Sequence, residues 1–292
     1  MRVTESMAMR DFLRDTNGAR SGMLEAQNKV STGRSVLRPS DNPRDLSDIL
    51  RLRADKVENA QYERNVEYGR SRLDFADTAL ASIQDMVERV RFLGLTAIST
   101  DTQTDAFSTE VEGLRSQILG TANSALQGRF VFGGSDGETL PFSEDPITGV
   151  VTYQGNSDQM KVQVGRASTL QTQLPGDDLF GSGNDVFQSL TDLIVALKTG
   201  DKSQIDAKLK PLESAWEGIS LSRSRVGSQI NVADSIAREM SAMSLVRESN
   251  LVDLESADLT TALTEFQSYQ NAVQSTLAVG ARISQLTLLD YI

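Results

Sequence analysis

Three places in the 292-residue chain bring together residue types that chemistry could use. Gly133-Gly134 and Gly181-Ser182-Gly183 have the glycine density of loops that cradle phosphate, and Asp177-Asp178 could hold a hard cation. None carries the rest of its pattern. Neither glycine run is followed by Lys-Ser/Thr or by a spaced third glycine, so both read as turns. The aspartates lack a spaced third acidic ligand, so they read as a solvated loop. The chain has no histidine and no cysteine. That removes the commonest general base, the commonest metal ligand, every Ser-His or Cys-His pair and all disulfides. No catalytic, cofactor or metal site is expected, and the informative residues are those that pack.

The packing signal is strongest at the two ends. Met9, Phe12, Thr16, Ala19, Met23, Ala26 and Val30 step 3, 4, 3, 4, 3, 4, a heptad seam with small or soft knobs. Leu259, Leu263, Phe266, Val273, Leu277 and Ala281 recur on one stripe of a C-terminal helix, with Asp258, Thr261, Gln267, Asn271, Gln274 and Ser275 opposite. A helix of ~30 residues spans ~45 Å at 1.5 Å per residue. A rod with one apolar stripe cannot bury it against itself. The two ends are therefore expected to pair with each other or with other copies. The packing residues are Met9, Phe12, Ala19, Met23, Val30, Leu259, Leu263, Phe266, Val273 and Leu277. Ala, Thr and Met bury little apolar area per turn, so a seam of this kind needs neighbours.

Composition agrees with long helices. Hydrophobic residues make up 39% and aromatic residues 5%, with a single tryptophan, Trp216. A net charge of -11 argues against nucleic acid and anionic membrane as partners. The charge is uneven: residues 1–60 hold 11 Lys+Arg against 9 Asp+Glu, and residues 101–203 hold 6 against 14. No run approaches the length of a membrane span. Arg10 and Asp11 interrupt the N-terminus before an apolar signal core forms, so no cleavable secretory signal is expected.

The elements follow in order. A first helix covers roughly residues 5–31 and stops at Gly33. A second starts with Asn42 as N-cap and Pro43 at its first position, with Asp45 in its first turn, and runs to about Thr96. Its seam is Val66, Gly69, Leu73, Ala76, Leu80, Ile83, Val87 and Val90. A third carries Phe107, Val111, Leu114, Ile118 and Ala125 on one face. At Gly128 the period changes to two. Residues 129–132 read as a strand, and residues 149–153 and 160–164 read as a hairpin turning at 155–158. Helices resume at Asp185, capped by Asn184 or Asp185, and stop near Gly200. A final long pattern runs from Ile205 to Met240, and Pro211 either kinks it or marks its start. Trp216 on that stripe reads as core. Arg223 on it either snorkels or faces an acidic partner on another subunit.

The fold class expected is mainly α: an elongated long-helix bundle or coiled coil built from both termini, with a small β-rich insertion. Residues 1–42 and 250–292 would make a terminal coiled coil, 43–127 and 185–249 a long-helix bundle, and 128–184 a β-rich outer domain.

Particular motifs sharpen this. Ser31-Thr32-Gly33-Arg34 followed by Arg38-Pro39-Ser40-Asp41-Asn42-Pro43 resembles the N-terminal signature of bacterial flagellins and their relatives. Further stretches are similar to the hook–filament junction branch of that family. They are Met1-Arg2-Val3-Thr4, Gly128-Arg129-Phe130-Val131-Phe132-Gly133-Gly134 leading into Pro141-Phe142, and Val151-Thr152-Tyr153-Gln154-Gly155. Glu255-Ser256-Ala257-Asp258-Leu259, Ala262-Leu263-Thr264-Glu265 and Leu288-Leu289-Asp290-Tyr291-Ile292 complete the set. Asn42 departs from the family, which usually has a second Asp there, but an N-cap needs only a side-chain acceptor.

The resemblance implies a structural axial protein of the bacterial flagellum, exported without cleavage through the flagellar type III pathway. It would form a thin layer between the first hook-associated protein on the hook side and flagellin on the filament side. The partners implied are copies of itself in a ring or helical layer, those two proteins and an export chaperone. Terminal helices that are flexible in the free subunit and pair on assembly are also implied. A flagellin-type filament subunit and an unrelated coiled-coil binding module or enzyme are the alternatives.

Overall fold

The structure, a computed structural model, describes residues 5–36, 42–100, 104–173, 175–180 and 185–289. The motif residues Met1–Thr4, Arg38–Asp41 and Asp290–Ile292, the glycine pair Gly181 and Gly183, and the alternative cap Asn184 lie outside the described residues. The helices are α1 (Glu5–Thr32), α2 (Pro43–Ser99), α3 (Thr104–Ala122), α4 (Gly176–Phe180), α5 (Val186–Thr199), α6 (Lys202–Glu255) and α7 (Leu259–Leu289). Between α3 and α4 lie six short strands, β1 (Ala125–Leu126), β2 (Arg129–Phe130), β3 (Phe142–Glu144), β4 (Val151–Tyr153), β5 (Lys161–Gln163) and β6 (Thr169–Gln171). No described helix is long and apolar enough to cross a membrane. The chain divides into two compact units, residues 1–57 with 243–292, and residues 58–242.

Local chemistry sets the helix ends. Gly33 stops α1 with φ of +67°, a conformation glycine adopts without strain, and its N–H donates to Lys29 O at 2.9 Å. Asn42 caps α2: its Oδ1 accepts from Asp45 N, and its amide donates to the Asp45 carboxylate. Asp185 caps α5 by accepting from Gln188 N at 2.9 Å, and Gly200 ends it with φ of +69°.

In the unit of residues 58–242, Leu73, Leu80, Ile83, Val87 and Val90 from α2 are buried as their spacing predicts. They meet Val111 and Ile118 of α3, Leu190, Leu193 and Leu197 of α5, and Ile205, Leu212, Ile219 and Val226 of α6 in one core. Helix α3 ends at Ala122, which is buried. Ala125, expected on its apolar face, is exposed and instead pairs with Phe130 in β1–β2. The reason lies in the turn between those strands, where Gln127 (φ +53°) and Gly128 (φ +78°) reverse the chain. Helix α6 begins at Lys202, so Pro211 lies inside it and does not mark its start. Its buried stripe is centred on Ala215, Ile219 and Ser222, with Trp216 packed half-buried against the core and Ala237 exposed.

The strands pair differently from the expected hairpin. β4 pairs with β3 (Phe142↔Tyr153), and β5 pairs with β6 (Val162↔Leu170), so residues 149–153 and 160–164 are not partners. Nor are residues 129–132 one strand: β2 stops at Phe130, and Val131 and Phe132 turn into the core. Four features seat these hairpins on the helices. Arg115 of α3 donates to Glu144 (2.7 Å), to Gly149 O (2.6 Å) and to Thr191 (3.2 Å). Arg72 of α2, almost fully buried, donates to Phe130 O and Gln173. Phe142, Tyr153, Phe180 and Phe187 pack at ring-centroid separations of 5.2–6.0 Å. A smaller cluster of Val66, Val164, Leu170, Ala233 and Met240 holds β5–β6 to α2 and α6.

Candidate assembly surface on the terminal helices

The features with chemical potential resolve into structural parts. Gly133 bridges to Pro175, and Gly134, at φ of +72°, lies so close to Asn156 O that a Cβ there would come within 2.1 Å of it. Asp177 and Asp178 belong to the short helix α4, not to a loop. Among the described residues no group of three or more His, Cys, Asp or Glu could hold a metal ion. Arg223 finds its acidic partner within its own chain: it donates to Asp77 at 3.2 Å and to Gln84 at 2.9 Å. The reading that it faces another subunit is corrected accordingly.

The candidate site lies in the unit of residues 1–57 and 243–292. There α1 and α7 pack along each other and run antiparallel, since Gly22 meets Tyr269 and Gly280 meets Phe12. Their roots are stitched together. Ser35 N–H donates to Glu255 O and Ala257 N–H to Gly33 O, both at 2.8 Å, which makes Arg34 and Ser256 a one-pair antiparallel bridge. The Glu255 carboxylate accepts from Arg53 at 2.6 Å and sits 3.4 Å from Arg34. Helix α6 ends at Glu255 and α7 starts at Leu259, so Asp258 is the cap of α7, not a member of its polar face. Asp258 accepts from Thr260 N (2.9 Å), Thr261 N (3.3 Å) and Thr261 Oγ1 (2.6 Å). These bonds favour the charged carboxylate, the side-chain bond from Thr261 most, and hold its pKa below the usual aspartate range.

The α1 seam is as spaced in the sequence. Ala26 is buried, Phe12, Thr16, Ala19, Met23 and Val30 are half-buried, and Met9 is exposed. On α7 the single stripe divides. Ala262, Phe266, Tyr269, Val273, Thr276 and Gly280, stepping 4, 3, 4, 3, 4, turn toward α1, with Ala262 only 3% exposed. Leu259, Leu263 and Leu277 are about half exposed, on the flank beside that seam. The two aromatic rings fill the notches left by the two glycines, so the helices approach closely and in one register. Sequence reasoning missed Ala262, Tyr269, Thr276 and Gly280. Their own heptad spacing was the available signal, hidden by the larger leucines beside them on the helix.

One flank of the pair is apolar on both helices. Successive residues turn by about 100°. Leu13 and Leu24 of α1, and Leu259, Leu263 and Leu277 of α7, then lie on the same side of an antiparallel pair, and all are exposed. An apolar face repeated on two adjoining helices is what a further helix packs against.

With this geometry in hand, relatives give it a context. Residues 3–136 match the bacterial flagellin N-terminal helical region. The chain is 24% identical to flagellar hook-associated protein 3 of Escherichia coli over 319 aligned residues, covering 99% of each chain. It is 25% identical to the protein of the same name from Salmonella typhimurium, again over 99% of each. In fold it is similar to the flagellar junction protein FlgL of Legionella pneumophila, with a TM-score of 0.60, 14% identity, and coverage of 71% of this chain and 99% of that one. The chain thus matches the bacterial flagellin N-terminal helical region over residues 3–136 and is similar to flagellar hook-associated protein 3 over almost its whole length.

Proposed function

We propose that the chain is a structural axial protein of the bacterial flagellum. It forms a thin junction layer of its own copies between the first hook-associated protein and the flagellin filament. The observation that carries this reading is the full-length likeness to hook-associated protein 3, reaching 99% of both chains in two bacteria. The terminal pair supplies the means: Leu13, Leu24, Leu259, Leu263 and Leu277 offer an exposed apolar face to neighbouring copies. Residues 1–42 and 250–292 act as the axial-core coiled coil, 43–127 and 185–249 as a long-helix bundle, and 128–184 as the β-rich outer domain.

The chain is exported without cleavage, and a chaperone covers the apolar C-terminal helix before assembly. Full-length likeness to flagellin, 23% identity to that of Bacillus subtilis over 95% of both chains, favours a filament subunit as the second reading. Copy number separates the two. Quantitative immunolabelling of isolated flagella should find a single narrow band at the hook–filament boundary. Labelling along the filament would overturn the junction reading.

A further inference from the structure

Outside α1 and α7, four exposed aliphatic side chains of the same unit fall into a pattern, which Val246, 60% exposed on another side of α6, does not join. Leu50 and Val57 on α2 are 56% and 72% exposed, and Leu245 and Val252 on α6 are 71% and 53% exposed. Each pair is seven residues apart, which is two helical turns, so each lies on one line along its helix. Lys56 pairs with Glu248 and Arg53 with Glu255, which fixes the two helices antiparallel and side by side here. Taking those ion pairs as the facing direction and about 100° per residue, both apolar lines turn to the same side. The result is a two-helix ribbon with leucine and valine along one edge, next to the open cleft lined by Arg34, Leu251 and Val252.

We propose that Leu50, Val57, Leu245 and Val252 form a lateral docking strip that takes a helix of a second copy of this chain. This rests on the assembly reading above and adds a contact separate from the α1/α7 flank. Heptad spacing on both helices says that the occupant is itself a helix lying along the ribbon. Size says that it is a copy already held elsewhere. Four aliphatic side chains fall well short of the roughly 800 Å² per partner that a stable complex buries, so the strip cannot hold two molecules together alone. It adds to a contact already made by the terminal pair, as a side-to-side contact within a layer of copies would.

The test uses the full-length chain in cells lacking their own copy, with the ratio of chain retained on isolated flagella to chain exported as the readout. Val57→Asp and Leu245→Asp should each lower that ratio at least tenfold and leave the thermal midpoint of the purified monomer unchanged. A wild-type ratio in both variants would overturn the strip. As the chain has no cysteine, a nitroxide on Val57→Cys gives a second readout. Its spectrum should broaden on incorporation, and an unchanged, mobile spectrum in the incorporated protein would also overturn the proposal. Leu263→Asp, run in parallel, separates the two readings. Loss of retention there with wild-type retention for Val57→Asp removes the strip and keeps the assembly reading. Failure of the wild-type chain to be retained at all removes the reading on which the strip rests.

Discussion

Gly22 of α1 lies against the ring of Tyr269 of α7, so close that a Cβ on Gly22 would stand 2.5 Å from Tyr269 Cε1. The relationship is repeated with the roles exchanged, since a Cβ on Gly280 would stand 2.3 Å from the ring of Phe12. Each terminal helix thus carries one notch and one ring, and the antiparallel register is set where both fit.

Glycine substitutions on α1 should therefore diverge. A methyl group added at Gly18 would meet nothing within 4 Å, so Gly18→Ala should gain up to about 1 kcal/mol of helix stability. Gly22→Ala has the same propensity gain but must push the Tyr269 ring out of its notch. It should show less amide protection over residues 5–32 and 259–281 than Gly18→Ala. Adding Tyr269→Ala to Gly22→Ala should restore part of the difference. Equal protection in the two single variants would show that the notch does not set the register.

Arg115 ties β3, the Gly149 turn and α5 to α3 through three hydrogen bonds from a largely buried guanidinium. Arg115→Met keeps the aliphatic stem and leaves these acceptors without their donor. A cost of about 2 kcal/mol is expected for hydrogen bonds to a charged group. For a domain of this size that lowers the melting temperature by about 4–8 °C. Thermal unfolding followed by circular dichroism checks it.

Acid should act on the root of α7. The pKa of Asp258 is lowered in the folded chain by bonds from Thr261 and Thr260, against about 3.9 when unfolded. A depressed folded value means that its contribution is fully present above the unfolded pKa and is lost as pH falls through the folded one. Between pH 7 and 5 this contribution should stay flat, and below about pH 4 it should decline. Asp258→Ala should remove that part of the acid dependence and lower amide protection in the first turns of α7 at neutral pH.

The core and the exposed flank should separate stability from assembly. Leu80 is fully buried, and Leu80→Ala should cost about 2–5 kcal/mol through lost contacts and a residual cavity. Leu263, 48% exposed, should tolerate Leu263→Ala with a change within about 0.5 kcal/mol. That variant should nonetheless enter the flagellum less well than the wild type. Paired chemical denaturation and retention on isolated flagella distinguish the two effects.

Much of the architecture was legible in the chain itself because its causes are local. Gly33 and Gly200 end helices through positive φ, Asn42 and Asp185 start them through side-chain acceptors, and the α2 seam from Val66 to Val90 needs only the 3.6-residue period to be read. The likeness to flagellar hook-associated proteins was legible too, since the motifs that carry it are short and ordered along the chain.

What the tertiary structure decided was the choice of partner. Leu259, Leu263 and Leu277 satisfy a helical period as well as Ala262, Tyr269 and Gly280 do. Which line faces α1 depends on the fit of rings into notches across the pair, which hydrophobicity along one helix does not encode. Strand pairing failed for the same reason: β4 and β5 look like a hairpin in sequence, but their hydrogen bonds go to β3 and β6. Arg223 carried a charge onto an apolar stripe, and only the position of Asp77 on a helix some 146 residues away says where that charge is met. Sequence alone determined the order of the long helices and several of their ends, because those follow from backbone propensity and short-range bonds. The faces that meet, and the faces left exposed, follow from side-chain shape across elements distant in sequence and were settled only in the folded chain.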